Sequence, residues 1–272
     1  MPISISAKFH AVLFGIAAIL ISGNTNAIDR ANEAESITVF AAASLADVMS
    51  DLVLAWQAEG GNPGIRISLG ASGVIARQIE AGANADLFIS ANQNWIKYLK
   101  DRGHSASTAK VVAKNRLVLV QPCNAPAPKE AKNMSIPSGL GLLLASGRFA
   151  MADPRVSPAG AYTKSALEQL DLWDKVKENA AYAGSVRLAL LLSERGGLPG
   201  FVYSTDASKS TLACTAIEMP AGSYPAIEYV GMLPKKNHSD TIMTAKRFLN
   251  WLTSDAAATI WHKHGFTIPV PK

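Results

Sequence analysis

Four short segments carry residues that could do chemistry: Ala41-Ala-Ala-Ser-Leu45, Gly70-Ala-Ser-Gly73, Pro158-Ala-Gly160 and Gly184-Ser-Val186. Each sits between an apolar run and a stretch of helical periodicity. A helix start has backbone N–H groups with no intrahelical partner and the positive end of the macrodipole, which together attract an anion. Ser44 and Ser72 add hydroxyls. Tyr203, closing Gly200-Phe-Val-Tyr203, adds a phenolic O–H that is expected nearer the rim of a cleft. All of these are neutral donors, which suit a fully ionised oxyanion better than a cation or a neutral solute. No carboxylate is placed to accept a proton, which argues against a protonated phosphate. Taken singly, each start reads as ordinary punctuation, since Ser is a common N-cap. Their recurrence gives them weight.

The elements around them follow a regular rhythm. Ser36–Ala41 reads as a strand, with a helix starting at Ser44 whose spacing to Asp47 resembles a capping box. Leu45, Val48, Met49, Leu52 and Trp56 form its apolar stripe. Ile65–Leu69 leads through Ser72 into a second helix ending at Gly82, and Ala85–Ser90 leads through Asn92 into a third. Arg116–Gln121 is another strand, halted by Pro122, Pro126 and Pro128 in a stretch that reads as a lobe boundary. Beyond it come the strand Phe149–Asp153, a helix from Ala159, a helix opened by Ser185 and the strand Gly200–Tyr203. Ile227–Leu233 reads as a last crossing, followed by helices capped at Ser239-Asp240 and Ser254-Asp255. Strand–helix alternation implies an α/β fold with mainly parallel sheets, whose ligands collect at the carboxyl ends of strands. Two lobes joined by two crossings follow: residues 28–120 with 223–272, and residues 121–222.

Other chemistries find little support. Gly70-Ala-Ser-Gly73 is not a G-x-S-x-G elbow, Gly139-Leu-Gly141 lacks the third glycine of a dinucleotide fingerprint, and no Walker loop exists. His262 and His264 are two apart on a helical stretch and face different ways, which disfavours a metal site. Lys8 and His10 followed by the apolar run Ala11–Ile21 and a small-residue exit read as a secretory signal cleaved after Ala27, leaving 245 residues. The net charge of +5 is scattered, with no basic stripe, so nucleic acid is not expected as a partner. In an oxidising compartment the lone pair Cys123 and Cys214 favours a disulfide over two buried thiols. Both flank expected crossings, so the bridge is expected to pin the second lobe near its hinge.

The quoted segments, together with Gly82-Ala-Asn-Ala-Asp-Leu-Phe-Ile-Ser-Ala91, Ala152-Asp-Pro154, Arg187 and Val202-Tyr-Ser-Thr-Asp-Ala207, resemble in order and over most of the chain the periplasmic molybdate-binding proteins of ABC transporters. The resemblance implies a two-lobed type II periplasmic binding fold that closes on one oxyanion, molybdate or tungstate, without enzymatic activity or cofactor. The metal would arrive as its oxyanion, with no direct protein ligands. It implies ligand contacts from the hydroxyl and N–H of Ser44 and Ser72, the N–H groups of Ala159 and Val186, and the hydroxyl of Tyr203. It also implies a monomer that delivers its ligand to a membrane permease. Ser157 departs from the family, which usually has an apolar residue there. The alternatives are the same fold selecting another tetrahedral oxyanion such as sulfate, and a secreted serine hydrolase using Ser72, for which no His and acid can be placed.

Overall fold

The computed structural model describes residues 36–61, 64–106, 108–125, 135–145, 147–235 and 241–269. The expected signal segment and the expected cap at Ser239-Asp240 lie outside the described residues.

The strands fall into two sheets of five. The first has the order β2-β1-β3-β10-β4, built from Ile65–Gly70, Ile37–Ala42, Leu87–Ser90, Ile227–Met232 and Lys110–Asn115. The second has the order β7-β6-β8-β5-β9, from Ala180–Ala183, Phe149–Ala152, Gly200–Tyr203, Leu117–Pro122 and Ala213–Glu218. In each, three neighbouring strands are parallel and the other two join antiparallel. The sheets are therefore mixed, more evenly so than the strand–helix alternation implies. β4, β7 and β9 carry too little apolar periodicity to announce themselves, and two of them are the antiparallel edges.

The helices that matter here are α1 (Ala46–Ala58), α2 (Ser72–Glu80), α3 (Gln93–Asp101), α4 (Ile136–Ala145), α5 (Pro158–Gln169), α6 (Val186–Gly196), α7 (Ile242–Trp251) and α8 (Asp255–Lys263). The two-residue strand period sorts the first lobe's core onto two faces. Leu87 and Ile89 join Ile37, Val39, Val48, Met49, Leu52, Phe248 and Trp261 on one side. Phe88 joins Ile75, Ile79, Ile96 and Leu99 on the other. The end of the chain thus packs back on the first lobe, as expected. Ser254 caps α8 by accepting the Ala257 N–H, and Asn92 caps α3 by accepting that of Trp95.

Three expectations change. The capping box at Ser44 does not form: Ala43–Leu45 is a 3-10 turn, α1 starts at Ala46, and neither start has a side-chain cap. Ser44 and Asp47 are occupied elsewhere, as described below. Next, Leu117–Pro122 pairs with β8 and β9 in the second sheet, so the first crossing falls at Arg116 and not after residue 120. β4 and β5 are separated by that one residue, and Pro126 and Pro128 of the expected boundary lie outside the described residues. Finally, the Cys123–Cys214 disulfide forms, with Cα atoms 4.8 Å apart, but it is not at the hinge. It staples the Pro122↔Ala213 end of the β5–β9 pair, whereas the crossings leave from the Leu117 and Glu218 end, roughly 15–20 Å away along the strands.

The bridge closes a loop across 91 positions and holds an edge strand in register. Reduction is expected to remove ~2–4 kcal/mol and lower the melting temperature by about 4–16 °C. Mass measurement after alkylation without reduction should find no labelled thiol. Two labelled cysteines, or an unchanged melting curve on reduction, would contradict this assignment.

Candidate functional site

The parallel strands β1, β2 and β3 of one lobe and β6, β7 and β8 of the other all end at one place. The residues just beyond them line a single small cavity: Ser44 after β1, Ser72 after β2, Ala91 after β3, Pro158 after β6, Val186 after β7, and Tyr203 at the end of β8. Its water-accessible space is only about 10 Å3, roughly that of one water molecule and far below that of pockets holding drug-sized ligands. No lysine, arginine, aspartate or glutamate lines it.

The hydroxyls are aimed by what they accept. Ser72 is fully buried and its Oγ accepts the Ala91 N–H at 3.1 Å. Ser44 Oγ lies 2.7 Å from the hydroxyl of Tyr229, which is itself buried and receives an N–H from Asn115 at 3.1 Å. Tyr203 is 1% exposed and its hydroxyl has no hydrogen-bond partner among the described residues. A buried O–H without an acceptor is costly, so this phenol is positioned to donate to whatever fills the cavity. It lies deep in the site, correcting the expectation that it sits at the rim. Burial pushes the Tyr203 and Tyr229 phenols upward, so both are neutral donors.

Val186 is the first residue of α6, behind Ser185, whose side chain caps the helix by accepting the Leu188 N–H. Ala159 is the second residue of α5, behind Pro158, so its N–H has no intrahelical acceptor. It is buried beside the lining residues Ser157 and Pro158. Ser157 lines the cavity but does not cap its helix. α5 comes this close to the end of β6 because Gly160 lacks a side chain: a Cβ there would lie 2.1 Å from the Ala152 carbonyl oxygen. All five residues singled out from the sequence thus surround or abut one space, although Ala159 is not itself a lining residue.

The lobes are closed over that space. The Gly73 N–H donates to the Val156 carbonyl at 2.8 Å, a main-chain bond between lobes. A Cβ at Gly73 would lie 2.2 Å from the Trp95 ring and 2.6 Å from that carbonyl, so this contact requires glycine. The Tyr162 hydroxyl donates across the cleft to the Ala91 carbonyl at 3.3 Å. Arg187 of the second lobe meets Asp47 of the first at 2.5 Å and Asp206 of its own lobe at 2.6 Å. The Asp206 contact is a charge contact, without a well-aimed N–H. Asp206 is fully buried, and burial raises its carboxyl to about 7 despite the guanidinium beside it.

Sequence reasoning missed Asn115, Tyr229 and the Arg187–Asp206 pair as parts of the site. Arg187 and Asp206 lie inside quoted segments, but nothing in an apolar strand marks Tyr229. Among the described residues no histidine or carboxylate lines the cavity beside Ser72, whose Oγ faces a backbone N–H, and His264 is held 2.9 Å from Asp51.

Two sheets hinged by two crossings, with a small cavity of neutral donors between them, define a solute-binding protein that closes on its ligand. Residues 37–267 match the family of bacterial extracellular solute-binding proteins, and the chain belongs to that family. Its members capture solutes and do not catalyse. Among relatives, it is 39% identical over 261 residues to the molybdate-binding protein ModA of Escherichia coli strain K12, covering 94% of this chain and 97% of the relative. Among solved structures it resembles the Azotobacter vinelandii periplasmic molybdate-binding protein, with a TM-score of 0.70 at 22% identity, covering 86% of this chain and all of that one. It likewise resembles the sulfate-binding protein SubI of Mycobacterium tuberculosis H37Rv, with a TM-score of 0.69 at 19% identity over 87% and 88% of the two chains. At those identities the structures speak to the fold.

Two predictions follow from this geometry. A hydrogen bond to a charged partner contributes ~1.5–3 kcal/mol, so Ser44→Ala, Ser72→Ala and Tyr203→Phe should each weaken calorimetric binding of molybdate roughly 10- to 150-fold. Arg77→Gln should change it less than about threefold, because Arg77 is exposed and its bond to the Arg155 carbonyl is long, at 3.5 Å. A larger loss for Arg77→Gln than for the hydroxyl variants would mean that an ion pair holds the anion.

The second concerns Asp206. Its folded value lies above the ordinary ~3.9 of a carboxyl in the unfolded chain, so the native state binds an extra proton between about 4 and about 7. That contribution is fully present below about pH 4 and is lost as pH rises through about 7. Denaturant titrations should therefore show the wild type losing stability relative to Asp206→Asn between about pH 4 and about pH 7. Parallel curves for the two proteins would show that the carboxyl is ionised throughout.

Proposed function

We propose that this chain captures molybdate or tungstate between its lobes and presents it to the membrane permease of an ABC importer. Ser44, Ser72, Ala159, Val186 and Tyr203 supply the donors, through the hydroxyl and N–H of each serine, the two helix-start N–H groups and the phenol. The observation that carries this reading is the unpartnered, fully buried Tyr203 hydroxyl facing a cavity that contains donors and no charged side chain. A fully ionised tetrahedral anion satisfies it, whereas a cation does not. The 39% identity to a molybdate-binding relative favours molybdate over sulfate, whose binding protein shares the fold at lower identity.

In this reading the leader ending at Ala27 directs export to the periplasm, and the mature protein works as a monomer without a cofactor. Among the described residues no helix is long and apolar enough to cross a membrane.

A thermal-shift panel of oxyanions on the mature protein tests the proposal. Molybdate or tungstate at about a thousand times its dissociation constant should add ~4 kcal/mol, or roughly 8–16 °C, while phosphate leaves the curve unchanged. A shift from sulfate alone would transfer the reading to sulfate capture. No shift from any oxyanion would overturn it.

A further inference from the structure

The cavity's donors are set by a second layer of side chains. Asn115 stands at the crossing between the lobes, at the end of β4. Its Oδ1 accepts the Arg116 N–H at 2.8 Å and the Ser204 hydroxyl at 3.1 Å. A main-chain N–H cannot accept, so the amide orientation is fixed and Nδ2 faces the other way. From there it donates to Thr205 Oγ1 at 2.8 Å and to the Tyr229 hydroxyl at 3.1 Å. Tyr229 is 0% exposed, and its ring is wedged edge-on against Tyr203 and Phe266. Its single proton has one oxygen within reach, Ser44 Oγ at 2.7 Å, and leaving it unbonded would strand a buried donor. The direction of the chain is therefore Asn115 to Tyr229 to Ser44. Ser44 receives a proton from behind, and its own proton is left for the cavity.

We infer that Tyr229, oriented by Asn115, is a specificity-determining residue that keeps Ser44 a donor toward the ligand and so excludes oxyanions that still carry a proton. This rests on the oxyanion reading of the site proposed above. Neither residue touches the ligand space, since both lie outside the cavity lining. Ser72 is biased the same way by the Ala91 N–H, and Tyr203 has no other acceptor for its proton. A hydrogen phosphate ion would bring a donor into a space where every hydroxyl already points inward. Molybdate brings only acceptors.

The chain's polarity can be reversed without changing its shape. In Asn115→Asp a carboxylate replaces the amide, Tyr229 turns its proton toward it, and Ser44 then donates to Tyr229 and becomes an acceptor toward the cavity. The added charge would repel molybdate and hydrogen phosphate alike, since both are dianions in mildly alkaline buffer. The ratio of their affinities therefore isolates the relay from the charge.

Competition calorimetry with molybdate and inorganic phosphate on the full mature chain tests this. In Asn115→Asp the molybdate-to-phosphate affinity ratio should fall at least about tenfold relative to the wild type. In Asn115→Asp with Tyr229→Phe the ratio should return to within about threefold of Tyr229→Phe alone, because the relay is cut. Tyr229→Phe preserves the ring packing, and half-buried Asn115 can give its freed N–H to water, so this background keeps the fold. An unchanged ratio in Asn115→Asp, or an equal fall with and without the Tyr229 hydroxyl, would overturn the assignment. A wild type that binds neither molybdate nor any other oxyanion would instead overturn the reading of the site, and this inference with it.

Discussion

A doubly charged ion taken out of water between two protein surfaces must recover its hydration from the groups around it. Here no cation is available to do so, because none lines the cavity. The work falls to N–H and O–H groups, each worth little unless it is already aimed. That requirement explains much of the architecture. Both sheets have their parallel strands in the same relative order, and both direct those strands' carboxyl ends at one point. Helix starts and strand ends are the only places where main-chain donors are free, so a site built from donors must be built there.

The charges near the site serve a different purpose. Arg187 follows Val186 directly, yet its guanidinium is turned away from the cavity toward Asp47 and Asp206. It ties one lobe to the other, with its charge facing the Asp47 carboxylate and the buried carboxyl of Asp206. A free cation at that position would draw in any anion, whereas a set of aimed hydroxyls distinguishes anions by protonation and size. Buried ion pairs are weak contributors to stability, but they register one surface against another.

Most of the strand–helix rhythm was legible, because apolar periodicity and helix punctuation are local. β8 at Gly200–Tyr203 and the starts at Ser72, Asn92, Ser185 and Ser254 fall where the sequence places them. What was hidden is pairing between distant segments. Whether Leu117–Pro122 belongs to the first or second sheet depends on β8 and β9, not on its own residues. The antiparallel edges β4 and β9 mix polar and apolar residues without clean alternation. At Ser44 the local pattern was misleading: a serine followed by an acid suggested a cap, but the serine bonds Tyr229, 185 positions away, and the acid bonds Arg187, 140 positions away. The positions that gather around the cavity were legible because small residues at a strand end are a local signal. Their supporting layer was not, since Asn115 and Tyr229 look like any polar end and any aromatic in a strand.

The bond from Gly73 to Val156 joins backbone to backbone and needs no side chain to change rotamer before it breaks. The closed state is therefore held at that point by a backbone contact between the start of α2 and the turn after β6. Opening becomes a single-step separation of two stiff bodies, with little internal rearrangement to slow it. How long the captured ion stays is then set by the lifetime of the lobe–lobe contacts more than by its own bonds. A membrane partner that pries the lobes apart would control the timing of release without having to reach the ion.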